Sequence, residues 1–115
     1  MAHVRITVLK CELYQDLLDK HYPPESGDRK RPICPVFSEG QTFDLHPWRF
    51  KPEGFCDWAW SDIYRDVTSV AFGVGHPWVS PRPAAVSSCT DGARPVVFKI
   101  ERVEDEKPGE ESEEA

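Results

Sequence analysis

Residues 57–72 form the main amphipathic segment of this 115-residue chain, and they constrain its fold more than any other feature. Apolar side chains recur there at helical spacing, with two aromatic residues beside them: Ala59, Ile63, Val67, Val70, Ala71, then Trp60 and Tyr64. Asp57 is a residue type that caps helix N-termini, and Gly73 suits the position that ends a helix. The pattern predicts one main helix whose apolar face packs against a sheet.

Shorter strand and helix patterns fill the rest of the chain. They predict strands at 4–9, 40–45, 84–89 and 95–103 and a first helix at 12–22. Thr90-Asp91-Gly92-Ala93 is a turn sequence that joins the last two strands into a hairpin. The order β-α-β-α-β-β lacks the regular alternation of a parallel α/β fold. It predicts a small α+β domain over residues 1–103, with helices on one mostly antiparallel sheet.

The net charge of −6 comes entirely from the C-terminal end. Residues 101–115 contain eight acidic and two basic residues, whereas the acids and bases of residues 1–100 balance. Residues 104–115 lack aromatic side chains, and we expect this acidic tail to be disordered. A balanced body argues against nucleic acid as a partner, because nucleic-acid-binding domains carry a basic surplus.

Membrane insertion and secretion are also not expected from this sequence. No apolar run approaches the ~20 residues of a membrane span. The N-terminal residues go straight into a strand pattern, without the apolar core of a signal peptide. We therefore expect a cytoplasmic protein, in which four cysteines would be reduced thiols or metal ligands rather than a disulfide framework.

Three of the four cysteines lie in the three least ordinary peptides of the chain, which are 33–37, 54–60 and 88–92. Cys34 lies between two prolines that hold it in an extended segment. Cys56 directly precedes the main helix, where the partial positive charge of the helix end stabilises a thiolate. Cys89 ends a strand at a turn. One thiol in each of three distant peptides predicts that the peptides meet in the fold.

A soft-metal site is the first chemistry that these thiols suggest. Cys34, Cys56 and Cys89 would bind zinc or copper(I), with His76 as the best further ligand and His46 as the second choice. No Cys-x-x-Cys pair is present, so the site would have to assemble through the tertiary fold. Three sulfurs favour a metal site slightly over a redox thiol centre, because a simple dithiol switch uses two. Cys11 has no special neighbourhood, and we interpret it as structural.

Two other classes of function stay open. Cys56 could be the nucleophile of an enzyme acting on a small molecule of unknown identity, assisted by Asp91, Arg94 or His76, with Cys89 as a further residue of the catalytic site. For Arg94, pairing with Asp91 is the preferred interpretation. Alternatively, the cysteines are packed core residues and exposed aromatic side chains form a homo-oligomer interface.

The same peptides carry a resemblance to a known family. Cys34-Pro35-Val36-Phe37, the segment 52–60 (Pro-Glu-Gly-Phe-Cys-Asp-Trp-Ala-Trp) and Cys89-Thr90-Asp91-Gly92 followed by Arg94-Pro95-Val96 are similar to motifs of small uncharacterised bacterial, archaeal and fungal proteins. The resemblance spans about residues 4–103. It implies that Cys34, Cys56 and Cys89 belong to family motifs, and it implies no particular activity.

Overall fold

The computed structural model describes residues 2–25 and 33–104. The elements are β1 (Ala2–Cys11), α1 (Gln15–His21), β2 (Thr42–Leu45), α2 (Asp57–Ala71), β3 (Ala84–Ser88) and β4 (Val96–Glu104). This order and the single antiparallel sheet confirm the predicted α+β fold. Apart from Glu104, which belongs to β4, the tail that we expect to be disordered lies outside the described residues.

The four strands form one antiparallel sheet in the order β2-β1-β4-β3. A register shift between Val8 and Lys10 interrupts the pairing of β1 with β4. Because of this bulge, Val8 and Cys11 are both buried although they are three residues apart in the strand. Cys11 consequently pairs with Val96 on the face of the sheet that contains the core.

Helix α2 covers that face of the sheet. Its buried side chains, Ala59, Ile63, Val67 and Val70, belong to one cluster with those of β1 and β4, so the predicted apolar stripe is confirmed. The helix begins one residue earlier than an Asp57 cap would require. Cys56, with extended backbone angles, is the N-cap, and Asp57 is already helical and pairs with Lys51. Gly73 ends the helix with a φ of +86°, as expected.

One polar side of α2 is hydrogen-bonded to the chain around β3. Asp62 bonds to Thr90, and Asp66 contacts His76 one helical turn later. Ser69 then accepts a hydrogen bond from the Gly75 amide at 3.0 Å. Residues spaced by three or four lie on the same side of a helix, so these contacts fix the helix along the edge strand.

Helix α1 continues from the end of β1. The amides of Glu12 and Tyr14 donate to the carbonyls of Pro95 and Ala93, which attaches this segment beside the start of β4. Its one buried residue is Leu18. Neither helix in the described part of the chain has the length and apolar character that crossing a bilayer requires.

Candidate thiol site

The second and third cysteine peptides are joined at the start of α2. Thr90, the residue after Cys89, donates its amide and its hydroxyl to one carboxylate oxygen of Asp62, at 2.7 and 3.0 Å. The indole N–H of Trp58 donates to the same hydroxyl at 2.6 Å. These three hydrogen bonds hold Cys89 beside the first turns of the helix that Cys56 precedes.

The first cysteine peptide reaches the same region through an aromatic contact. The Phe37 ring packs edge-on against Phe55 at 4.9 Å and against Phe98 at 5.1 Å. The carbonyl of Phe37 also accepts a hydrogen bond from the Cys11 thiol at 3.7 Å. The three peptides therefore meet in the fold, as their sequences predict.

Two of the thiols lie on either side of Val96 at the start of β4. On one side of β4, Cys11 of β1 pairs with Val96. On the other side, the Cys89 amide donates a hydrogen bond to the Val96 carbonyl at 3.0 Å. The Val96 amide in turn donates to the Cys89 sulfur at 3.3 Å. Cys11 belongs to the core cluster and Cys89 packs against it, so both residues lie on the core side of the sheet.

The third sulfur of this group belongs to Cys34. Burial raises the pKa of the Cys11 thiol first, followed by the charge of Glu39 and then by the charges of Cys34 and Cys89. Like charges have this effect only when they are close. Cys34 and Cys89 also pack against the core cluster that contains Cys11. These three cysteines are called the thiol cluster below, with Cys11 buried and the other two half-buried.

Cys56 lies at the edge of this region. Its carbonyl accepts the amide of Trp60, which starts the helix, and its side chain makes no capping hydrogen bond. The thiol is half-buried and packs against the core cluster, as do those of Cys34 and Cys89. All four cysteines are free.

Asp91 and Arg94 stabilise the turn between β3 and β4. One Asp91 oxygen accepts the amides of Ala93 and Arg94 at 3.2 and 3.1 Å, and the other lies 3.6 Å from the Arg94 guanidinium. The expected pairing of Arg94 with Asp91 is confirmed. Because these contacts are internal to the turn, they support a positioning role for the two residues rather than a catalytic one.

His76 lies away from the thiol cluster. Its Nδ1 accepts the Val86 amide at 3.4 Å, so its Nε2 carries the proton and donates to Asp66 at 3.2 Å. Trp78 stacks on the ring with centroids 4.9 Å apart. Since both ring nitrogens are occupied, His76 offers no lone pair to a metal in this arrangement.

His46 lies at the opposite end of the sheet. It stacks on His3, near the start of β1, whereas Cys11 ends that strand about 26 Å away at ~3.3 Å per residue. Within residues 2–25 and 33–104, no group of three or more His, Cys, Asp or Glu side chains is arranged to hold a metal ion. The four predicted ligands are therefore not assembled as one metal site in this structure.

Sequence reasoning missed Cys11 and Asp62 as parts of this region. Cys11 reaches the thiol cluster only because of the bulge in β1, and its amide donates to the Glu39 carboxylate at 2.9 Å. The lysine and leucine that precede Cys11 gave no indication of a bulge. Asp62 could have been noticed, because it follows Trp58 by one helical turn on the same side of the predicted helix.

Comparison of the chain with protein-family models, with curated proteins and with solved structures gave no match. The resemblance to the family of small motif-bearing proteins therefore stays a prediction.

Proposed function

We propose that this chain is a redox-thiol protein whose motif cysteines exchange with disulfides. The observation that supports the proposal is that the segments of Cys34 and Cys89, both half-buried, reach Cys11 through contacts at Phe37 and Val96. Cys11 is the buried member, and its raised pKa keeps it a neutral thiol. Cys34 and Cys89 are then the exchanging pair in this proposal, because each is a free, half-buried thiol whose charge acts on Cys11, as that of Cys56 does not.

The reaction follows ordinary thiol–disulfide exchange. The Cys89 thiolate attacks one sulfur of a small disulfide, such as oxidised glutathione. The old disulfide bond breaks, and one small thiolate leaves. Cys34 then attacks the mixed disulfide, forms the Cys34–Cys89 bond and releases the second small thiolate. The protein loses two electrons and two protons, and the small disulfide becomes two thiols.

The Val96 amide favours Cys89 as the attacking sulfur. It points at that sulfur from 3.3 Å, and a hydrogen bond to a charged acceptor is stronger than one to a neutral acceptor. The hydrogen bonds of Thr90 to Asp62 and Trp58 keep the neighbouring backbone in place while the reaction proceeds. The protein thus supplies a fixed attacking group, and the proposal assigns the second thiol to Cys34.

A soft-metal site is the second candidate, supported by the charges of Cys34 and Cys89, which raise the pKa of Cys11. A thiolate-preferring cation such as copper(I) would neutralise charges that otherwise raise the pKa of Cys11. Zinc fits less well, because it normally takes four ligands and the described residues hold no such group. Metal binding would therefore involve two sulfurs of the thiol cluster and release protons.

Titration with oxidised glutathione, followed by intact mass measurement and peptide mapping, tests the exchange. The oxidised chain should weigh less by two hydrogens and contain a Cys34–Cys89 disulfide. Cys89→Ser should form no internal disulfide, whereas Cys34→Ser should stop at a mixed disulfide on Cys89. Cys56→Ser is the matched control and should oxidise like the unmodified chain.

Three results would contradict the proposal. They are a stable reduced protein under excess oxidised glutathione, a disulfide mapped to another pair, or an unchanged product in Cys89→Ser. The same samples, prepared under reducing and anaerobic conditions, show by native mass spectrometry whether a metal is present. If iodoacetamide labels Cys56 far faster than the other thiols, the result favours an enzyme with Cys56 as its nucleophile. Inert thiols with a concentration-dependent mass would favour an oligomeric interaction module.

A further inference from the structure

A cavity of about 380 Å³ opens at the end of the sheet farthest from the thiol cluster. It lies between the first residues of β1, the end of β2 with the loop that follows, and the last turn of α2. Its lining residues are Ala2, His3, Val4, Leu45, His46, Pro47, Trp48, Ala71 and Arg102. Its volume falls within the ~300–1,000 Å³ that small-molecule sites occupy.

The inner wall of the cavity is apolar. Val4 and Leu45 are paired across β1 and β2, and each is only 2% exposed, so the cavity reaches down to the core. Trp48 forms a side wall and is half-buried. Its ring stacks on Tyr64 at 6.1 Å and meets Phe72 edge-on at 5.7 Å, which holds the indole in one orientation.

The polar groups at the cavity are basic or donate hydrogen bonds. Arg102 pairs with Val4 across β1 and β4, so its side chain leaves the sheet on the cavity side. His3 and His46 stack with ring centroids 4.3 Å apart. Among the described residues, no carboxylate lies within 4 Å of the Arg102 guanidinium, and no acid lines the cavity. The nearby Asp44 is already bound by Arg5 and His3.

We propose that this cavity binds a small aromatic carboxylate. The apolar wall and the indole of Trp48 would receive the ring, because both present flat, water-excluding surface. Arg102 would take the carboxylate, for which its planar guanidinium offers paired donors. The volume admits one or two fused rings and excludes a peptide or a nucleic-acid strand. This site is independent of the thiols, since it lies at the other end of β1.

The test is a titration of the full chain with 2-naphthoate, followed by protein NMR and by calorimetry. The neutral 2-naphthamide and the cationic 2-naphthylmethylamine serve as matched probes. 2-Naphthoate should bind saturably with a dissociation constant of about 1 mM or tighter, and the shifted amide signals should cluster around the lining residues. Each of the other two probes should bind at least about tenfold more weakly.

Variants separate the charge from the apolar wall. Arg102→Gln should weaken 2-naphthoate about tenfold or more while leaving 2-naphthamide unchanged. Arg82→Gln removes an exposed arginine outside the cavity and is the control. Ala71→Leu should block all three probes by filling space, and the NMR spectrum of the free variant shows whether it is folded. Equal binding of the three probes, an unaffected Arg102→Gln, or shifts elsewhere on the chain would overturn the proposal.

Discussion

The hydrogen bonds of Asp62 should determine both the stability of the chain and the accessibility of Cys89. Asp62→Ala removes two hydrogen bonds to Thr90, from its amide and its hydroxyl. A hydrogen bond to a charged group contributes about 1.5–3 kcal/mol. Both bonds lie near solvent, where water replaces part of the loss, so we expect a total of about 2 kcal/mol.

Urea denaturation and thermal unfolding measure the loss in stability. For a domain of this size, a loss of about 2 kcal/mol lowers Tm by roughly 10 °C. Arg65→Ala is the matched control, because it removes an exposed charge from the same helix and should stay within about 0.5 kcal/mol. Alkylation of Cys89 in the folded protein should accelerate in Asp62→Ala and not in the control.

A double-mutant cycle separates the indole contact from general destabilisation. Trp58→Phe keeps a ring but removes the N–H that donates to the Thr90 hydroxyl, and Thr90→Val removes that hydroxyl with little change in shape. The coupling between the two changes should be about 0.5–1.5 kcal/mol. If Asp62→Ala behaves like Arg65→Ala and the coupling is zero, the hydrogen bonds do not hold Cys89 as argued.

Three further changes test the packing and the titrating groups. Gly75→Ala should lower the free energy of unfolding in urea by at least about 3 kcal/mol, because the new Cβ would lie 2.5 Å from a β3 carbonyl oxygen. At Gly40 the new Cβ meets open space, so Gly40→Ala should lose only about 1–2 kcal/mol for its positive φ. Equal losses in the two variants would refute this reasoning. The hydrogen bond from Arg5 lowers the pKa of Asp44, so Asp44→Asn should be less stable than the unmodified chain at pH 7. This difference in stability should vanish as the pH falls through 4 and below, because the carboxylate is then protonated. A difference that stays constant with pH would contradict the assignment. Burial raises the pKa of the Cys11 thiol, so the stability of the chain should decline as the pH rises above about 8.5. The decline should be smaller in Cys11→Ala, which lacks the thiol. Identical profiles of stability against pH in the two proteins would argue against a buried neutral thiol.

The sequence alone determined the elements whose causes are local. The spacing of Ala59, Ile63 and Val67 specifies a helix with one apolar side, and Gly73 provides the positive φ that ends it. The short alternating segments specify strands, and the Asp91 turn joins the last two. In each case the cause and the result lie within a few residues, so periodicity and turn chemistry predict them.

Only the tertiary structure decided which distant residues meet. The bulge in β1 brings Cys11 to the thiol cluster, and Asp66 with the Val86 amide occupies the imidazole of His76. The cavity beside Arg102 likewise joins four separate segments. Such neighbours depend on strand order, on register and on how α2 lies across the sheet. Those are set by the packing of the whole core, which no local pattern in the sequence encodes.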